Sequence, residues 1–269
     1  MYKKNNILFF YAIIYFAFLY TPVMLLPVFS FNDAIHMVFP LKGFTLKWYD
    51  QMIHASRLHQ ALMNSVKVGI IAAIFSTLIA LLAAKAFTKY KVKLKQISYG
   101  AILLPFVIPE IIIAVSLIVL WTGMGLQLGL VPVTISHILF CTPFCMLVLI
   151  SRMEGFDKNL EEAAMDLGEN AWGTFWRVTF PLVLPAIVAS LLLSFVISFD
   201  EFILAFFLTS NDQTLPLYMW GQLRFPKKLP HVLALGAVII VATSIIVMLS
   251  YWLRNLGNPS DKKSNIGGI

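Results

Sequence analysis

Three carboxylates stand inside apolar runs of this chain: Glu110, directly after Pro109, and the adjacent pair Asp200 and Glu201. A carboxylate at the centre of a bilayer costs about 2.5–3.5 kcal/mol on insertion scales, so such groups face a cavity, a partner helix or a cation. Neighbouring residues on a helix project about 100° apart. Asp200 and Glu201 therefore cannot both look down one path; one faces it while the other meets a neighbouring helix or a partner subunit. The alternative is purely structural, with each acid hydrogen-bonded between helices; Ser194, Ser198 and Thr209 are near in sequence. Lysine and arginine are absent from the four central apolar runs except near their ends. The interior is net negative, which suits a passing cation better than phosphate, sulfate or molybdate. Tyr218, Trp220 and Phe199 offer aromatic faces to an amine, or anchor and pack as such rings more often do.

Other chemistries find no footing. His137 has no second histidine at metal spacing and reads as a packed, neutral imidazole. The two cysteines, Cys141 and Cys145, share one helical face; they read as buried small hydrophobes, with a disulfide or metal pair as the alternative. No H-E-x-x-H, G-x-S-x-G or paired histidine set occurs. No Gly-Lys-Ser or Gly-Lys-Thr completes a phosphate-binding loop, and Gly123 and Gly125 lie on a turn between apolar runs. The chain is expected to be non-catalytic, with no cofactor of its own.

The elements that must hold these residues are apolar helices. Of 269 residues, 59% are hydrophobic and 12% charged, against about 25% charged in soluble domains. Six runs are long enough to cross about 30 Å of hydrocarbon: 7–29, 65–87, 97–120, 131–150, 182–208 and 232–253. Strands are excluded because open edges stay unpaired in lipid and barrel alternation is missing. The first run is too long for a signal-peptide core and lacks a small-residue cleavage site, so it reads as an uncleaved span. The fold class expected is an all-α integral membrane protein, one membrane domain over 1–269 with a core at about 60–254 and a polar, frayed tail at 255–269. The net charge of +7 is spread over loops, which excludes a nucleic-acid surface and sets orientation instead. Inner segments hold thirteen basic residues: Lys3, Lys4, Lys85, Lys89, Lys91, Lys93, Lys95, Arg152, Lys158, Arg177, Arg254, Lys262 and Lys263. Outer segments hold six, and both termini are therefore expected on the cytoplasmic side. The outer stretch 30–64 predicts a short interfacial helix with Trp48 and Tyr49 at headgroup depth.

The inner loop 151–180 is acidic and long for a connection. Asp157 is an N-cap candidate, followed by Glu161 and Glu162 in the early turns, where negative charge is favoured. Leu160, Ala163, Ala164 and Leu167 form an apolar stripe. Gly168 stands where a left-handed C′ residue belongs, and Asn170 caps a second short helix. Pro181 stops that helix or starts the next. Two short helices joined at a glycine suit insertion into a groove on a partner.

Here the chain resembles a family. Glu162-Ala163-Ala164, three residues, Gly168, nine residues and Val178-Thr179-Phe180-Pro181 look like the EAA motif of ABC-importer permeases, whose pattern ends Ile, any residue, Leu-Pro. Val178 and Phe180 are conservative departures. The resemblance implies a six-helix, type I importer permease fold in the inner membrane of a bacterium. It implies that the loop 151–181 carries coupling helices that dock on an ATPase through Glu162, Ala163, Ala164, Asp166, Gly168 and Pro181. It also implies the partners: a second permease subunit, two ATP-binding subunits that hold ATP and magnesium, and an extracytoplasmic substrate-binding protein. Further segments are similar to the spermidine/putrescine permease family: Gly43 to Tyr49, Glu110 after its proline, Ser198 to Phe202, and Thr214 to Tyr218. That resemblance implies a polyamine cargo guided by Glu110, Asp200 and Glu201, with another small amine or amino-acid-like solute as the alternative. The rival class is a gradient-driven secondary transporter, whose carboxylates would carry protons or ions; inverted repeats, its usual signature, are not found.

Overall fold

The computed structural model describes residues 6–89, 95–155, 157 and 159–255. Lys3, Lys4, Lys91, Lys93, Lys158, Lys262, Lys263 and the tail beyond Asn255 lie outside the described residues. In chain order the helices are α1 (Asn6–Ser30), α2 (Lys47–Ile53), α3 (Ser56–Lys89), α4 (Lys95–Val107), α5 (Glu110–Gly123), α6 (Leu130–Glu154), α7 (Asn159–Asp166), α8 (Ala171–Thr174), α9 (Phe180–Asp200), α10 (Ile203–Leu208), α11 (Leu215–Leu223) and α12 (Leu229–Asn255). A π turn at Phe175–Thr179 joins α8 to α9. The one bridge among the described residues pairs Asn32 with Phe44.

Among the described residues, five helical stretches are long and apolar enough to cross a membrane: Leu8–Ser30, Ser56–Lys89, Leu130–Glu154, Ala171–Asp200 and Pro226–Leu253. The third expected span is not a straight rod. It is α4 and α5, bent by 99°. Pro109 forces the bend: it lacks an N–H for the helix ladder, pushes Ile108 out of the helical region, and itself takes extended backbone at φ −53°, ψ 129°. The fifth span also differs. α9 ends at Asp200 because Glu201 is extended at φ −69°, ψ 127°, and α10 is a separate short helix.

The described residues group into two compact units, one from residues up to His59 with Tyr218–Thr243, the other from Gln60–Leu217 with residues from Ser244 on. In the first, Trp48 is buried against its own chain. Its Nε1 donates to the Asn32 carbonyl at 2.8 Å, and its ring meets His231 at 5.5 Å. The Tyr49 and Ser30 hydroxyls share a 2.6 Å hydrogen bond. A buried indole N–H finds its partner here, so the expected short helix is present at Lys47–Ile53 and is pinned through Trp48 and Tyr49.

In the second unit, the half of the core nearer the end of α3 joins Ala80, Ala84, Cys145, Met146, Leu149, Val183 and Ala186. The half nearer the start of α3 joins Val68, Val133, Ala205 and Leu208. Between them lies a layer of small polar groups. Ser76 and Thr77 hydroxyls approach Cys145 Sγ at 3.6 and 3.7 Å, and the Cys141 thiol donates to the Ser194 carbonyl at 3.6 Å. Both cysteines are free and buried, as small hydrophobes with weak donors are expected to be.

These contacts settle the crossings within this unit. Lys89 at the end of α3 bonds Glu161 just beyond α6, so α3 and α6 end on one side. Val68 and Val133, near their starts, share the other. The bent pair α4–α5, which connects them, therefore crosses once rather than turning back.

Candidate functional site

The loop after α6 is built by local capping. Asp157 Oδ1 accepts the Asn159 N–H at 3.0 Å, and Glu161 and Glu162 follow in the first turn of α7. At the far end the Glu169 N–H reaches the Ala164 carbonyl at 3.1 Å and the Gly168 N–H reaches Met165 at 2.9 Å. Gly168 has φ +94° with open space where a Cβ would sit. This is a Schellman turn, whose C′ residue must be left-handed. Asn170 then accepts the Gly173 N–H at 2.8 Å and caps α8. The second loop helix is not a separate piece, however. α8 runs through the π turn into α9, making one helix from Ala171 to Asp200. Pro181 stands in the first turn of α9, as a start would have it, but the helix does not break there. Its missing N–H and its ring, set against the carbonyl four residues back, are absorbed by the wider turn just before it.

Of the residues expected to dock, Glu162, Ala163, Asp166, Gly168 and Pro181 are exposed in the chain, and Ala164 is half-buried. Leu167, expected only as part of the apolar stripe, is 88% exposed at the tip. Its exposure comes from the Schellman turn, which swings the chain away just after it. The carboxylate that ties the loop together is Glu161. Glu161 Oε2 accepts from Lys89 Nζ at 2.8 Å, and its Oε1 accepts from the Thr179 hydroxyl. Burial pushes the Glu161 carboxyl up, but these two hydrogen bonds and the Lys89 and Lys85 charges outweigh it and hold it below the usual range. Lys85 and Lys89, read from sequence as orientation charges, border with Glu161, Glu162, Thr179 and Met165 a cavity of about 210 Å³. Their partners lie some 70 or more residues along the chain, so no local pattern reveals them.

The three intramembrane acids all fall at helix breaks. Glu110 is the first residue of α5 and half-buried; Asp200 is the last of α9 and exposed within the chain. Glu201, expected beside them as a path residue, is buried at 7%. Its carboxylate accepts the N–H groups of Leu204 at 3.0 Å and Ala205 at 3.3 Å. His137 Nε2 lies 3.2 Å away, without hydrogen-bond geometry, and its Nδ1 pairs with the Ser198 hydroxyl at 2.7 Å. Glu201 thus caps α10 and fills the core, while Asp200 is left open. α5 and α10 pack through Ile113, Ala114 and Leu204, which places Glu110 on a helix braced by the element that Glu201 caps. Tyr218 and Trp220 sit on α11. Trp220 is 47% exposed, and Tyr218 lines a cavity of about 210 Å³ with Gln51, Gln222, Lys228 and His231.

Discontinuous helices packed together, with carboxylates at their breaks, are the parts of a membrane transporter. The known relatives agree. The model of the family described as binding-protein-dependent transport system inner membrane component matches residues 76–260. The chain is 34% identical over 252 residues, covering 92% of it and 95% of the relative, to the spermidine/putrescine transport system permease protein PotC of Escherichia coli strain K12. It is 28% identical over 247 residues, 88% of it and 87% of the relative, to the putrescine transport system permease protein PotI of the same strain. Among solved structures, a chain of a bacterial ABC transporter involved in the import of the acidic polysaccharide alginate superposes with a TM-score of 0.68 at 18% identity, covering 98% and 99% of the two chains. A chain of an amino acid ABC transporter with histidines gives 0.56 at 15%, covering 78% and 99%. The protein is a multi-pass permease subunit and belongs to the family of binding-protein-dependent transport system inner membrane components.

Proposed function

We propose that this chain lines the translocation path of an ATP-driven importer for a small organic cation of the spermidine/putrescine type. ATP and magnesium are held by two separate ATP-binding subunits that dock on the Glu162–Gly168 turn. A second permease completes the path, an extracytoplasmic protein delivers the cargo, and both termini lie on the inner side. The observation that carries the importer reading is the capped loop itself: Leu167 and Ala163 stand exposed on a turn closed by its own backbone, as an insert for a partner's groove requires. The cargo reading draws on the open carboxylate of Asp200, on Glu110 at the bend, and on the two polyamine permeases similar over most of the chain.

The test is uptake by proteoliposomes holding the chain with its second permease and ATP-binding subunits, supplied with the cargo-loaded binding protein. Labelled putrescine or spermidine should enter only with internal or external ATP on the side of the ATP-binding subunits. Uptake by this chain alone under a proton or sodium gradient would instead make it a secondary transporter. Uptake that requires ATP but ignores both polyamines would keep the importer and remove the cargo.

A further inference from the structure

α3 is one unbroken helix of 34 residues, and its two ends hold different things. At the inner end Lys85 and Lys89 stand one turn apart on a common face. Each grips a different arm of the docking loop. Lys89 Nζ donates to Glu161 on α7 at 2.8 Å; Lys85 Nζ lies 4.0 Å above the Phe175 ring in the π turn on the returning arm. Thr179 on that arm donates to the same Glu161 carboxylate, so both arms and α3 meet there. The Lys89 and Glu161 side chains are only 29% and 14% exposed, unlike a solvated surface pair, which contributes little. At the outer end Asn64 Nδ2 donates to the Gln213 carbonyl at 3.0 Å, and the Leu215 N–H donates to the Ser65 hydroxyl at 2.8 Å. Both side chains are buried. From Ser65 to Lys89 the helix measures about 36 Å at 1.5 Å per residue. Along that length Ala72, Ala73, Ala80 and Ala84 are buried at 0–4%. A Cβ on Gly69 would stand 3.0 Å from the Phe195 ring of α9. Small residues packed this closely hold a helix as a rod.

We propose that Lys85 and Lys89 are positioning residues that clamp the docking loop to α3, so that displacement of the loop moves the Gln213–Leu215 segment at the opposite end through this single helix. The inference rests on the loop being the dock for the ATP-binding subunits.

The experiment uses the purified complex of both permeases with the ATP-binding subunits and compares wild type with K89Q, E161Q, the charge-swapped K89E/E161K, and S65A at the far end. In the single variants the ATP-binding subunits co-purify in full, while stimulation of ATP hydrolysis by cargo-loaded binding protein falls about tenfold, a typical coupling between two sites. The swap recovers stimulation, which a lost structural contact alone would not. S65A lowers stimulation in the same sense with the loop untouched. Full stimulation in K89Q and E161Q overturns the clamp, as does a swap that recovers nothing or an E161Q complex that loses its ATP-binding subunits. Failure of the wild-type chain to co-purify with those subunits would sink the docking reading itself, and the clamp with it.

Discussion

At the scale of single residues, two adjacent carboxylates divide the work between them. Asp200 is exposed at the end of α9, while Glu201 is buried and accepts two backbone N–H groups of α10. D200N removes a charge from the open site and leaves the packing alone. We expect normal protein levels and cation uptake lowered at least tenfold, read as a rise in KM for the cargo-loaded transport reaction. E201Q should do the opposite. It weakens a charge-assisted cap in the core, and thermal unfolding in detergent should show a loss of about 1–3 kcal/mol with cargo preference unchanged. The sequence marks both residues as expensive to place in lipid, but not this division. Treating 182–208 as one helix put the two side chains on different faces; the structure separates them by ending the helix. No glycine or proline stands at Glu201 to announce the break, which depends on the carboxylate folding back over the next helix. His137 shows the same limit. Its packed imidazole was legible from its solitude, but its contact with Glu201 and Ser198 was not, because 61 residues separate it from Ser198.

At the scale of elements, the loop between α6 and α9 is the most readable part of the chain. Asp157, Gly168 and Asn170 act within a few residues of themselves, so the caps follow from local chemistry. Gly168→Val puts a β-branched residue at φ +94°, a conformation costing about 1–2 kcal/mol for an L residue. Insertion into the membrane should be normal, and co-purification of the ATP-binding subunits should be lost. Leu167→Asp keeps the backbone and charges the exposed tip; it should weaken the same association at least tenfold, measured by titration of the ATP-binding subunit. The Glu161 clamp also has a pH signature. A carboxylate held below its usual range stabilises the loop fully above its unfolded value of about 4.3 and loses that contribution only as pH falls through the depressed folded value. Stimulated hydrolysis should therefore show no loss from this pair on acidification above about pH 5. The π turn before Pro181 was illegible. Proline at the start of a span reads as a boundary, and only the packing of α9 reveals that the helix passes through it.

At the scale of the whole molecule, six crossings follow from hydropathy and survive the bend in the third. The Lys89–Glu161 bond puts the ends of α3 and α6 on one side. Cysteine placed at Leu167, in a background lacking Cys141 and Cys145, should react with an impermeant maleimide only from the inner face. Cysteine at Leu126, exposed in the turn between α5 and α6, should react only from outside. Labelling of both from one side would refute the crossing count. The long apolar α1 leaves Phe9, Phe10, Ile14 and Phe18 more than 60% exposed, a surface for lipid or for another membrane helix. In the segment 30–64 the short helix was legible, but Trp48 and Tyr49 look like a headgroup belt by type and their partners within the chain were not. Only the Asn32 carbonyl and the Ser30 hydroxyl, both distant in sequence, show that these rings are held inward. The fold shared with an importer of acidic polysaccharide shows that architecture alone does not choose the cargo.

The 99° bend between α4 and α5 bears on how the chain is made. α4 and α5, with 13 and 14 residues, are each about 20 Å long, too short to cross about 30 Å of hydrocarbon alone. The brace for α5 is α10, which leaves the ribosome about 80 residues later, several seconds at 5–20 residues per second. The third span therefore enters the bilayer before its brace exists, and its folding is a late event of biogenesis. A nascent chain ending before Ile203 would present the uncovered Ile113 and Ala114 face to the proteases that police membrane assembly.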